Sequence, residues 1–122
     1  MLEFIFHPNF ETEAAKQKKR FNDLMGDIKK FQRLCEIQFH PTNPNAIIAP
    51  GKLHAITKNA LWQIWKIELV VTKTNLRPNQ YPRVWFAVEG SKVAFLCIRA
   101  HMDNYNDNEI DRLALQRVAD IF

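Results

Sequence analysis

Tyr81–Tyr105 reads YPRVWFAVEGSKVAFLCIRAHMDNY. Arg83 to Glu89 and Lys92 to Ala100 are two runs rich in β-branched and aromatic residues, separated by Gly90-Ser91, a two-residue loop of the kind that closes a tight antiparallel hairpin. The second run passes directly into Arg99-Ala100-His101-Met102-Asp103-Asn104-Tyr105. A cation, an imidazole and a phenol are therefore expected at the end of a rigid strand, the combination needed to hold or cleave a phosphodiester.

Upstream of the hairpin, Leu61 to Thr72 (LWQIWKIELVVT) alternates Lys66 and Glu68 with apolar neighbours and predicts a long strand. The connection from Lys73 to Pro82 carries two prolines and Arg77; it is long for a hairpin loop and is expected to project as a functional loop. His40 to Pro50 holds three prolines and reads as a loop, which Lys52 to Lys58 either continues or closes as a short bridge.

At the other end, Leu2 to Phe6 predicts a strand that stops at His7-Pro8. Asn9 can cap the helix that follows, with Glu11 and Glu13 at the positive end of its dipole. Apolar residues then recur at a 3.6-residue period from Phe10 to Cys35. Gly26-Asp27 is either a chain reversal with Asp27 capping a second helix or an interior glycine of one long helix. The hairpin is favoured, because an unbroken helix from Asn9 to Phe39 would span roughly 45 Å and outgrow a small domain. Downstream of Tyr105, Asn106 or Asp107 starts a last helix in which Ile110, Leu113, Ala114, Arg117, Val118 and Ile121 repeat at helical spacing.

The order β-α-α-β-β-β-α predicts an α+β class: a small antiparallel sheet with an N-terminal helical hairpin and a C-terminal helix, packed on one face. At 122 residues the chain fits a single domain, 1–122. Its 47% hydrophobic and 25% charged residues are those of a folded protein. Apolar runs stop well short of the roughly 18 residues a membrane span needs, and Met1-Leu2-Glu3 begins no signal peptide, so a cytoplasmic location is expected. Cys35 and Cys97 sit in apolar patterns without metal-ligand spacing and read as buried thiols; His7, His40 and His54 resemble no metal site.

The net charge of +4 is unevenly spread. Residues 1–51 carry seven Lys/Arg against six Asp/Glu, residues 52–101 eight against two, and residues 102–122 two against five. A basic sheet followed by an acidic helix suits a protein whose sheet meets a polyanion.

In this element order, the last three strands and their tail resemble the RelE/ParE superfamily of bacterial type II toxin–antitoxin toxins, whose members share a helical hairpin, a curved sheet and a motif close to Tyr-Arg-Val-Tyr-x-Val. Here the motif reads Tyr81-Pro82-Arg83-Val84-Trp85-Phe86-Ala87-Val88, and Leu61-Trp62-Gln63-Ile64-Trp65-Lys66-Ile67 resembles the family's Leu-Trp-x-Ile-Arg strand. The resemblance implies a metal-independent, cofactor-free messenger-RNA endoribonuclease that works on the ribosome and is neutralised by a cognate antitoxin. A base would take the proton of an RNA 2′-hydroxyl, which attacks the adjacent phosphate while an acid protonates the leaving oxygen. Carried over residue by residue, Arg83 would clamp the phosphate and His101 would transfer protons. Tyr105 would orient the substrate or stack on a base, and Lys66 and Arg99 would hold flanking phosphates; Arg77, in the long connection, is a further candidate for substrate binding. Non-catalytic ParE-like members of the same fold supply the alternative, a protein that poisons by binding; an unrelated basic nucleic-acid-binding domain is the third.

The chain departs from the motif at Pro82, in the longer preceding loop, and in a tail whose basic residues reduce to Arg99, followed by Asp103 and Asp107. Plainer readings stand beside each assignment: Arg83 as a surface strand arginine, His101 bonded to backbone or to Asp103, Tyr105 as a packing residue, and the lysines of 16–20 as a solvated helix face. Trp62, Trp65 and Trp85 are core or partner-facing before they are base-stacking. An ideal turn at Gly90-Ser91 also groups Val84, Phe86 and Val88 with Val93, Phe95, Cys97 and Arg99, and turns Arg83 and Trp85 the other way. Arg83 and His101 then meet only through a bulge or strong twist.

Overall fold

A computed structural model describes residues 2–72, 75–77 and 80–122. Part of the expected connection over 73–82 therefore lies outside the described residues. The chain is α+β, in the order β1 (Glu3–Phe6), α1 (Pro8–Gln17), α2 (Leu24–Gln38), β2 (Leu53–Lys58), β3 (Gln63–Glu68), β4 (Arg83–Glu89), β5 (Lys92–Arg99) and α3 (Asp107–Val118). The sheet order is β1-β5-β4-β3-β2. β1 runs parallel to β5 and the other neighbours are antiparallel, so the sheet is mostly antiparallel, with a parallel first strand at its edge. Residues 53–58 form a full edge strand on β3 where the sequence predicted a loop or a short bridge. β3 in turn is shorter than the predicted 61–72 run.

Helices cover both faces, not one. α1, α2 and the turn between them bury Phe10, Phe21, Ile28 and Phe31 against Val84, Phe86, Val93, Phe95 and Ile98. α3 buries Ile110, Ala114 and Val118 against Ile64, Trp85, Ala87, Ala94, Leu96 and Cys97 on the opposite face. The alternation of β4 and β5 makes this possible, because apolar residues occupy both sides of these two central strands and neither face is left for solvent.

The helical hairpin is present, but its reversal occupies residues 18–23. Gly26 and Asp27 lie inside the first turn of α2 instead, for reasons of packing. A Cβ at Gly26 would stand 2.7 Å from the Asp23 carboxylate oxygens, and buried Asp27 accepts hydrogen bonds from Thr72 N at 3.1 Å and Thr72 Oγ1 at 2.9 Å. α1 starts on Pro8, whose missing N–H is harmless at the first helical position. Its cap is His7 rather than Asn9: buried His7 accepts from Asn9 N at Nδ1 (3.1 Å), which leaves the proton on Nε2 to donate to Asp120 Oδ2 at 2.8 Å. Asn106 caps α3 by accepting from Glu109 N. Among the described residues no helix is long and apolar enough to cross a membrane.

One irregularity decides what shares a face. Phe86 pairs with Phe95 and Trp85 with Cys97, so Leu96 is an extra residue in β5. Cys97 and Arg99 are thereby moved from the expected α1–α2 face to the α3 face, and Arg99 lies directly across from Arg83.

Candidate functional site

The α3 face of the sheet collects polar groups at one end. Cross-strand partners His54, Lys66 and Trp85 form one row, and Glu68, Arg83 and Arg99 form the next. His54, Ala55, Ile56, Lys66, Glu68, Arg83 and Asp107 line a groove of about 320 Å³. Tyr105, which follows a 3₁₀ turn at His101–Asp103, packs its ring edge-on to Trp85 at 5.9 Å. Burial raises the Tyr105 phenol above its usual range, and the neighbouring Arg83 charge pulls the other way without cancelling it. Tyr105 is thus a neutral hydrogen-bonding group at physiological pH, suited to orienting a ligand and unsuited to acting as a base.

Two carboxylates of α3, one turn apart, hold this cation row. Arg83 Nη1 reaches Asp107 Oδ2 at 2.8 Å and Oδ1 at 3.0 Å; Lys66 Nζ lies 3.5 Å from Asp111 and 3.7 Å from Asp107. Asp111 also accepts from Trp85 Nε1 at 2.8 Å, and Lys66 Nζ sits 5.7 Å from the centre of the Trp85 ring. Burial works against the Arg83 charge, but Tyr105 and Asp107 more than offset it and the guanidinium is held above its ordinary range. The groove lining carries Lys66 and Arg83 against Glu68 and Asp107, a formal balance of zero.

Lys66, Arg83, Arg99 and Tyr105 therefore gather at one end of the α3 face. The bulge that could have joined Arg83 to His101 exists, yet it delivers Arg99, not His101, to Arg83. His101 is exposed and is not among the residues lining the Lys66–Arg83 groove. Asp103 does not orient it either. That carboxylate accepts from Ala100 N (2.9 Å), Gln17 Nε2 (2.8 Å) and Arg20, and burial, which opposes its charge, is outweighed by these bonds, so its pKa falls below the usual range. Arg77 is exposed in its loop and lies outside the groove. Trp85 is fully buried and so closed to base stacking, while Trp62 and Trp65 are half-buried.

Sequence reasoning missed His54, Glu68 and Asp111. His54 enters because Leu53–Lys58 is a strand, which pairs it with Lys66; Asp107 and Asp111 are four residues apart on α3, a spacing that announces a shared helical face.

Arg99 joins a second network. Glu13 receives Arg117 at 3.0 and 2.7 Å and Arg99 at 2.7 Å; burial opposes its charge, but the two arginines hold its carboxyl below the usual range. This cluster completes the edge of β5 where β1 has stopped: Ile98 N donates to Glu13, and Leu96 O accepts from Arg117 at 2.7 Å. Among the described residues, no three His, Cys, Asp or Glu side chains converge as a metal-ligand set. Comparison with protein-family models, curated proteins and solved structures returns no match.

Proposed function

We propose that the chain is a toxin of the RelE/ParE type, acting on messenger RNA at the ribosome and restrained by a cognate antitoxin, with its phosphate site in the Lys66–Arg83 groove. The supporting observation is the convergence of Lys66, Arg83 and Tyr105 on one sheet end, beside a histidine, His54, and a carboxylate, Glu68, both able to transfer protons. In this reading Arg83 and Lys66 neutralise the charge that develops on the phosphate, and the proton-transfer role assigned to His101 passes to a group inside the groove. The α3 carboxylates must give way to the RNA backbone, since Asp107 occupies the Arg83 position a phosphate would take.

The non-catalytic alternative, poisoning by binding, is favoured by that same pairing: both cations are already matched by carboxylates in the free chain. Induced expression separates the two. If the groove is catalytic, wild type arrests growth and cuts message, and Arg83→Gln and His54→Gln relieve both. Arrest without cleavage, persisting in His54→Gln, selects the binding protein; no arrest by the wild type rejects the toxin reading.

A further inference from the structure

The larger basic groove lies elsewhere. Between the end of α1 and the end of β5 is a groove of about 560 Å³ whose charged lining is Lys16, Lys19, Arg20 and Arg99 against Glu13 and Asp103, a surplus of two positive charges. The Lys66–Arg83 groove has none. From this contrast we infer that the α1–β5 groove is a second binding site, for the sugar-phosphate backbone of a single-stranded RNA.

Arg99 and Arg20 are held in place, Arg99 by Glu13 at 2.7 Å and by the Ile98 carbonyl at 2.9 Å, Arg20 by Asp103. Asp103 balances Arg20, but Glu13 is shared between Arg99 and Arg117, so that cluster keeps an unmatched positive charge. Lys16, on the last turn of α1, and Lys19, in the turn that follows, are exposed and form no ion pair among the described residues. Cations at a helix C-terminus complement its dipole, which accounts for Lys16 alone. It does not account for four cations around one groove, whose mutual repulsion an anion would relieve.

Geometry favours a strand over a single small anion. The groove's cations come from three places in the chain: the last turn of α1, the turn after it and the end of β5. Arg99 is also the cross-strand partner of Arg83, and partners in an antiparallel pair have Cα atoms about 5 Å apart. The two grooves thus adjoin at the Arg83–Arg99 pair, and a chain of phosphates leaving one enters the other. The ligand class rests on the RNA reading above, but the binding test is independent of cleavage.

The experiment measures fluorescence anisotropy of a labelled mixed-sequence RNA 12-mer with wild-type protein, Lys16→Gln/Lys19→Gln, and a control Lys30→Gln/Arg112→Gln pair that is exposed and outside both grooves. Removing two phosphate contacts should weaken binding about tenfold near 100 mM salt and lower the slope of log K against log salt by about 1.4, with the control near wild type. Unchanged affinity and slope in Lys16→Gln/Lys19→Gln, or an equal loss in the control, would overturn the inference. So would a wild type that binds tripolyphosphate and not RNA. A wild type that arrests growth yet fails to bind the 12-mer overturns this site while leaving the toxin reading in place.

Discussion

Replacing Arg117 by methionine should destabilise the fold severely while leaving its topology intact. Arg117 is 7% exposed and makes two bonds to Glu13, one to the Leu96 carbonyl and a longer one to Cys97 Sγ at 3.4 Å. Methionine preserves the buried volume, so the loss is electrostatic. Breaking a buried pair by removing one partner costs about 3–5 kcal/mol. Arg99 still holds Glu13 and argues for the lower end, but the Leu96 carbonyl is left without its donor, which adds about 1–3 kcal/mol. The two effects place the change at about 4–6 kcal/mol, a large share of the roughly 5–15 kcal/mol by which domains are stable. At about 4 °C per kcal/mol for a domain of this size, the melting temperature should fall by about 16–24 °C. Circular dichroism melts at pH 7 read this directly, and a fall below about 4 °C would refute the argument that the cluster seals the β5 edge. The same melts carry a pH signature. Because the folded Glu13 carboxyl lies below its ordinary range, its contribution is complete above that range and disappears as pH falls through the depressed value. The stability gap between wild type and Glu13→Gln should therefore be widest near neutrality and close in acid.

Both thiols should be silent in the native state. Cys35 and Cys97 are fully buried, and burial pushes the Cys97 thiol up to about 12 and Cys35 higher still, so a disulfide reagent at pH 8 should label neither until denaturant is added; rapid labelling of native protein would contradict this. Asp107→Asn should strengthen RNA binding several-fold, because it frees Arg83 and turns the groove balance from zero to one positive charge. Weaker binding in the anisotropy assay would show that the Asp107 carboxylate assists the ligand instead of competing with it.

The hairpin at Gly90-Ser91 was legible because the turn chemistry and flanking runs agree: Gly90 sits at φ +55, as such a turn requires, and Glu89 pairs with Lys92. The helical hairpin was legible in its period but not in its break, since Gly26-Asp27 imitates a turn while serving the Asp23 approach and the Thr72 anchor. Helices on both faces were foreshadowed by the unbroken apolar run Val93–Ile98, which leaves no polar side. The site was half legible. Lys66, Arg83 and Tyr105 follow from alternation and adjacency, whereas Arg99 depends on a one-residue bulge at Leu96 that no local residue preference announces, and His54 on an edge strand whose alternation is weak.

The most direct test is cleavage of ribosome-bound message by purified wild-type chain and by Arg83→Gln. The Arg83 guanidinium is at the surface, a third exposed, so its loss leaves the fold intact. Cleavage by wild type, slowed by at least about a hundredfold in Arg83→Gln, is the predicted result. Intact message with wild type, or equal cleavage by both proteins, would contradict the assignment of the Lys66–Arg83 groove as a ribonuclease site.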